Sequence, residues 1–179
     1  MMIRLRKLME KDASLMLEWM HDPQVQTGFK KNMLKASLED ALTFIRGAQD
    51  TEVSKTGQSV HFAIVNDEDE YLGTISLKNI DPTNETAEYA IATRKVAHGT
   101  GAAFLATGLL LQKAFSEYGL NRVFLSVYAN NESAIRLYEK SGFRFEGEFR
   151  EHFLIDGQKV NWKWYGILKK EFDKNVFGI

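Results

Sequence analysis

The spacing of apolar and polar residues changes period several times along the chain, and each change predicts an element. Ile3 to Leu8 alternates apolar and basic residues, the period of two that marks a strand. Asp12 is placed to cap a helix over Ala13 to Met20. HDP (His21 to Pro23) ends that helix, because the residue before a proline is pushed out of the helical region. Phe29 to Lys35 reads as loop. Ser37 and Asp40 have the spacing of a capping box, with Asp in place of the usual Glu or Gln, and open the amphipathic stretch SLEDALTFIRGA. TEVSKTGQS reads as a polar loop, and VHFAIV and YLGTISLKNI flank NDEDE as the arms of a hairpin flank its turn. DPTNET is a further turn, followed by the strand AEYAIA. A helix from about Gly101 to Tyr118 is ended by Gly119. VFLSVY is a strand, NESAIRLYEKSG a helix closed by Gly142, and FRFEGEF a strand. IDGQ carries an Asp-Gly turn into the last strand, VNWKWYGIL. No repeat or linker interrupts the series. The pattern predicts one α/β domain over residues 1–179: a three-stranded meander, then strand–helix–strand–helix–strand, then a hairpin.

Composition narrows the class. Hydrophobic residues make up 44% and charged residues 26% of 179, as in ordinary soluble domains that need no staples. With no cysteine, disulfides, thiolate zinc sites and cysteine nucleophiles are excluded, which fits a cytoplasmic protein. A formal charge of −1 gives no electrostatic case for nucleic acid. MMIRLRKLMEKD holds no long apolar run, so no signal peptide is expected, and no apolar stretch of about 18 residues suits a membrane. The four histidines lack ligand spacing, so no metal is expected.

The candidate chemistry begins at VAHGTGAAFLA, where Gly99 and Gly101 open an apolar helix. A Walker loop requires a lysine after its last glycine, and none follows Gly101. A dinucleotide fingerprint requires a third glycine, where this chain has Phe104, and an acidic residue after the next strand, where it has SVYANN. Two readings remain: a plain strand-to-helix turn, or a cradle of loop N–H groups and a helix N-terminus for an anion such as pyrophosphate.

Downstream stands NNESAIRLYEKSGF. Together the two segments resemble the GNAT superfamily of N-acetyltransferases, whose pyrophosphate motif reads Q/R-x-x-G-x-G/A and whose later motif reads N-x-x-A-x-x-x-Y-x-x-x-G-F. Asn131, Ala134, Tyr138, Gly142 and Phe143 match the second; Gly99 and Gly101 match the first, with Val96 where Gln or Arg is usual. LRKLMEKDASLMLEWMHDPQV and GFRFEGEFREHFLIDGQ look like the N-terminal portion and C-terminal hairpin of the ribosomal-protein, polyamine and amino-sugar branches. The resemblance implies a mixed, mostly antiparallel sheet flanked by helices, and direct attack of an amine on the thioester of acetyl-CoA.

It also implies roles. His98, Gly99, Thr100, Gly101 and Ala102 form the cofactor cradle, His98 through its backbone. Ile91 supplies the backbone N–H for the oxyanion, and Ala92 and Thr93 line the pantetheine arm. Asn131 reaches that arm or caps its helix, or does both. Tyr138 protonates the leaving thiolate, the alternative being a core tyrosine. Glu88, opposite Tyr89 and Ile91 in its strand, is the candidate base, the alternative being a solvated glutamate. Arg94 and Lys95 are expected to be solvated, with the outer phosphate as an alternative partner. Trp19, Phe29, Trp162 and Trp164 read as core or lip, and His152 as surface. The acceptor is a small-molecule or peptide amine: a protein N-terminus, a polyamine such as spermidine, or an amino sugar. REHFLIDGQ leans to the polyamine branch, but Glu88, Glu148 and Glu151 are few carboxylates for a polycation. Homo-oligomers are left open. A reading from another class is a coenzyme A sensor without catalysis.

Overall fold

Among the described residues, seven strands form one sheet in the order β1-β2-β3-β4-β5-β7-β6. They are β1 (Arg4–Lys7), β2 (Gln58–Val65), β3 (Tyr71–Asp81), β4 (Thr86–Thr93), β5 (Arg122–Tyr128), β6 (Arg144–Ile155) and β7 (Gln158–Leu168). The computed structural model describes residues 2–26, 32–49, 53, 56–155 and 157–179. Every pairing is antiparallel except β4 with β5, the pair separated by the helical crossover that parallel strands require. The helices are α1 (Ala13–Met20), α2 (Pro23–Gln26), α3 (Leu38–Gly47), α4 (Ala102–Ser116) and α5 (Glu132–Lys140). Among the described residues no helix is long and apolar enough to cross a membrane.

Period-two alternation in β2, β3 and β4 gives the sheet two apolar faces. Val60, Phe62, Ile64, Ile75, Leu77, Ala87 and Tyr89 pack with Leu110 and Leu111 of α4 and Tyr138 of α5. Ala63, Val65 and Ala92 point the other way, into a second core with Met16 and Trp19 of α1 and Ile45 of α3. Leu110 and Leu111 are completely buried, each contributing about 2 kcal/mol by removal from water.

The Ser37–Asp40 capping box forms: Asp40 N–H donates to Ser37 Oγ at 3.1 Å, and Ser37 N–H to the Asp40 carboxylate at 2.7 Å. Asp12 does otherwise than expected. It makes no cap bond to α1; its carboxylate accepts from Met9 N–H at 2.9 Å and takes a two-pronged bond from Arg6 at 2.7 and 2.8 Å. A buried carboxylate is drawn to the strongest donor in reach, and a guanidinium fork exceeds a backbone N–H. Pro23 ends one helix and begins another, since its fixed φ suits the first helical position of α2. Strand β6 runs well past Phe149, to Ile155. Its pairing with β7 shifts between Phe149 and Phe153, where Glu151 has φ +51° and its N–H is held by Asn161 Oδ1 at 2.8 Å. A bulge of this kind breaks the alternation, so the second half of the strand has no clean period. Of the predicted loops, Phe29–Lys31 and Thr51, Glu52, Ser54 and Lys55 lie outside the described residues, as does Asp156 of the last turn.

Candidate active site

Strands β4 and β5 pair over three rungs only: Thr86 with Arg122, Ala87 with Val123, and Glu88 with Phe124. Beyond Glu88, β4 continues to Thr93 and β5 to Tyr128 without pairing, so the two strands form a fork. Arg94 N–H bonds the Leu72 carbonyl of β3 at 2.9 Å. Backbone groups alternate sides along a strand, so the N–H groups of Ala92 and Ala90 also face β3. The N–H of Tyr89 closes the last rung of the β4–β5 ladder, and those of Ile91 and Thr93 face the open fork. The expected donor, Ile91, is therefore free to act. Ala92 lines the fork less directly than expected: its backbone faces β3 and its methyl is buried in the α1/α3 core.

The chain leaves the fork through the glycine loop. Gly99 has φ +73° and Gly101 φ +84°, left-handed conformations that side chains disfavour, and a Cβ on either would meet nothing within 4 Å. The surface above both is therefore open to a ligand. His98 N–H is committed to the Lys95 carbonyl at 3.0 Å, Thr100 N–H to the Ala97 carbonyl at 3.4 Å, and Ala102 N–H to the Thr100 hydroxyl at 3.2 Å. The N–H groups of Gly99, Gly101, Ala103 and Phe104 have no acceptor among the described residues. These four, at the start of a 15-residue helix whose N-terminus carries about half a positive charge, are the donors offered to an anion. Sequence reasoning named the loop but not Ala103 or Phe104, although the first turn of any helix leaves such donors. Val96 is 54% exposed and brings no polar group.

Arg94 is not a solvated cation. It is 8% exposed, bonds Glu18 of α1 at 2.8 and 3.0 Å, and bonds Glu70 and the Tyr71 carbonyl at 2.7 Å each. Lys95 pairs with Asp22 at 3.6 Å. Asn131 caps α5.

Tyr138 lies buried on the α4/α5 face, edge-on to Tyr89 at 5.7 Å between ring centroids. Burial pushes its phenol up to about 12. The sealed side-chain polar atoms without a partner, among the described residues, are Ser141 Oγ and Trp164 Nε1. The Tyr138 hydroxyl is not one of them, yet it has no hydrogen-bond partner there, so it opens onto accessible space. Glu88 points to the opposite face from the last rung of the fork, with one carboxylate oxygen 3.0 Å from Asn79 Nδ2 and the other 3.7 Å from Lys78 Nζ. The two candidate proton-handling groups thus flank the fork from opposite faces of the sheet.

His61 shares the face of Glu88 and was not anticipated. It is paired with Ser76, itself paired with Ala90, and its Nδ1 lies 2.7 Å from Ser76 Oγ. Burial, with the Lys78 charge adding to it, lowers its pKa to about 4. Its place in the alternation of VHFAIV, on the side of Ala63 and Val65, was the available signal. Trp19 and Trp162 are core, Trp164 is half-buried against Phe124 and Phe149, and His152 is exposed between Phe149 and Phe153; Phe29 lies outside the described residues. No three His, Cys, Asp or Glu side chains are grouped to hold a metal ion among the described residues.

A profile of the acetyltransferase (GNAT) domain matches residues 3–144. N-acetyltransferase p20 of Bacillus licheniformis is 28% identical over 171 residues, 95% of this chain and 94% of its own. A spermidine N(1)-acetyltransferase of Escherichia coli is 34% identical over 104 residues, 58% of this chain and 56% of its own. In three dimensions the chain is similar to a spermidine N-acetyltransferase of Vibrio cholerae crystallised with CoA and spermine. The TM-score is 0.82 with 22% identity, over 94% of this chain and 96% of the other.

Proposed function

Because the chain belongs to the GNAT acetyltransferase family, we propose that it moves the acetyl group of acetyl-CoA to a primary amine by direct attack, with a polyamine such as spermidine as the first acceptor to try. The observation that carries this reading is the fork between β4 and β5, with a free Ile91 N–H inside and four unpaired N–H groups at its mouth. In this reading the pyrophosphate is assigned to the N–H groups of Gly99, Gly101, Ala103 and Phe104, the pantetheine arm to the fork, and a contact with that arm to the Asn131 amide. Ile91 N–H donates to the thioester oxygen as charge gathers on it, a role worth a few kcal/mol for a well-placed donor. Glu88 takes a proton from the amine on one face of the sheet. Tyr138 donates to the departing sulfur on the other.

The acidities define what each group does. An alkylamine of pKa ~10.4 is neutral in only about 1 part in 2,500 at pH 7, equivalent to ~4.6 kcal/mol, so a base matters. A phenol at about 12 stays protonated at every working pH and is always a donor. It is a weaker acid than a thiol of pKa ~8.5, so Tyr138 acts by hydrogen-bonding the developing thiolate while solvent completes the protonation. The reading needs no metal, nucleic acid or membrane, treats residues 1–179 as one catalytic domain, and suits a cytoplasmic enzyme. The neighbours' polyamine substrates support the choice of acceptor. The test is acetyl-CoA consumption with spermidine, glucosamine and N-terminal peptides in parallel. Turnover with any amine supports acetyl transfer, and preference for spermidine supports the polyamine. Tight binding of acetyl-CoA without turnover on any amine would favour a sensor.

A further inference from the structure

In the reading above the amine arrives on the face of the sheet that carries Glu88, and the two halves of that face differ. Over β2, β3 and β4 it is covered by Met16 and Trp19 of α1 and Ile45 of α3. Over β5, β7 and β6 the described residues cluster as Tyr128, Phe153, Ile155, Val160, Trp162 and Trp164, and no helix contributes to them. The change of surface falls at the last rung of the fork, where Glu88 is paired with Phe124. Residues directly opposite each other point to the same side of a sheet, so the Phe124 ring stands beside the candidate base.

From Phe124 the rings continue outward. Trp164 of β7 lies 6.2 Å from Phe124 between ring centroids, and Phe149 of β6 lies 5.8 Å from Trp164. Phe149 is 50% exposed and Trp164 is half-buried. The indole Nε1 is sealed and has no partner among the described residues, so the Trp164 side chain shows ring carbon to solvent and not its N–H. Such a row offers π faces, whose negative centres attract cations, tryptophan most strongly. The carboxylates of β4 and β6 already have partners: Glu88 faces Lys78, Glu146 is bonded by both terminal nitrogens of Arg122, Glu148 accepts from Asn161 Nδ2, and Glu151 faces Lys159. Arg122 itself lies 5.7 Å from the centroid of the Phe124 ring, its charge balanced by Glu146. A second positive charge on the acceptor therefore meets aromatic rings on this half of the face rather than an unpaired acid.

We propose that Phe124, Trp164 and Phe149 form the subsite for the distal ammonium groups of the acceptor, and that Trp164 sets the preference for a polyamine over a monoamine. The proposal rests on the polyamine reading above and supplies the cation recognition that the few carboxylates do not. The steps between ring centroids match the span between amines joined by three or four methylenes, about 5–6 Å from ordinary bond lengths. An acceptor with its reacting amine at Glu88 places its next charge over Phe124 and Trp164, and a third near Phe149. A ring face holds an ammonium without taking its proton, so the distal groups stay charged while the amine at Glu88 alone is made neutral.

The experiment measures kcat/KM for spermidine, 1,3-diaminopropane and propylamine at saturating acetyl-CoA in the wild type, Trp164→Leu, Trp164→Phe and Phe149→Leu. Propylamine carries the reacting amine without a second charge, so it reports damage to the site that has nothing to do with cation recognition. Trp164→Leu is expected to lower kcat/KM about tenfold for spermidine and the diamine, through KM, and to leave propylamine unchanged, with Trp164→Phe recovering part of the loss. Phe149→Leu, at an exposed position, is expected to weaken spermidine severalfold and to spare the diamine. Should Trp164→Leu not fold, the spermidine-to-diamine ratio in Phe149→Leu carries the test, and an unchanged ratio overturns the proposal. An unchanged preference for spermidine over propylamine in folded Trp164→Leu overturns it as well, whether both activities are kept or both fall alike. So does a wild type that uses propylamine as readily as spermidine. Turnover confined to glucosamine or peptides overturns the polyamine reading and the subsite with it, and no turnover on any amine overturns acetyl transfer itself.

Discussion

Asn131 Oδ1 accepts the N–H of Ala134 at 3.3 Å and the hydroxyl of Ser133 at 3.2 Å, while the amide nitrogen of the same side chain has no partner among the described residues. One end of the side chain caps α5 and the other is free to donate. Asn131→Asp therefore divides the two roles. An aspartate caps as well as asparagine and suits the helix dipole, but it cannot donate and brings a negative charge. The melting temperature should hold or rise while KM for acetyl-CoA rises severalfold. Asn131→Ala should lose both, with stability down by about 1 kcal/mol. Thermal melts and steady-state kinetics on the two variants check this. An aspartate variant with unaltered KM would leave Asn131 a cap alone.

Arg94 ties the first residue after β4 to α1 and to the start of β3. Arg94→Met keeps the apolar stem and removes five donors. The Tyr71 carbonyl loses its partner in a buried setting, whereas Glu18 and Glu70, with side chains 48% and 41% exposed, are rescued by water. The expected loss of stability is about 1–3 kcal/mol, below that of a fully buried pair. Urea unfolding of the variant measures it, and a loss under half a kcal/mol would mean the clamp is ornamental.

His61 supplies a pH dependence of stability. Its folded pKa, about 4, is below the ordinary value of 6.5. Between those values the unfolded chain binds the extra proton, so stability rises with pH. This contribution is fully present above pH 6.5 and lost as pH falls toward 4, about 3 kcal/mol in all. Denaturation midpoints from pH 7 to pH 4 should fall less steeply in His61→Gln than in the wild type. Parallel curves would mean the imidazole is as solvated when folded as when unfolded.

How far these sites are legible in sequence depends on the range of the interaction. The Ser37–Asp40 cap and the turns at Gly119 and Gly142 depend on neighbours a few residues away and can be read directly. Asp12 fails the same reading because its partner, Arg6, lies on β1, so a local cap preference yields to a tertiary ion pair. Arg94 fails for the same reason at longer range, its partners being Glu18 and Glu70. The motifs place Tyr138, Asn131 and the glycines in sequence order. The fork does not follow from them, since it is an absence of pairing after Glu88 that is set by where the β4–β5 ladder stops. Which N–H groups of the loop are free is likewise decided by bonds to Lys95, Ala97 and Thr100, visible once the backbone is placed.

The opposed faces of Tyr138 and Glu88 lead to the sharpest test. Tyr138→Phe removes one hydroxyl that has no partner among the described residues, so packing against Tyr89 and Phe143 should survive. If that hydroxyl stabilises the departing thiolate, kcat should fall about 10²-fold with the affinity for acetyl-CoA nearly unchanged. Because the phenol is pushed up to about 12, the wild-type rate should show no loss from its ionisation below pH 11. Glu88→Gln keeps the size of the side chain and removes the base. Its rate should be severely reduced at pH 7 and recover toward the wild type as pH approaches the pKa of the amine, where free base forms unaided. Tyr138→Phe should show no such recovery, since alkali supplies no proton donor. Single-turnover rates are the appropriate measure, because slow product release can hide a chemical defect. The same alkaline recovery in both variants would contradict the division of labour between the two faces. Full activity in Tyr138→Phe would reduce the tyrosine to a core residue and leave the thiolate to solvent.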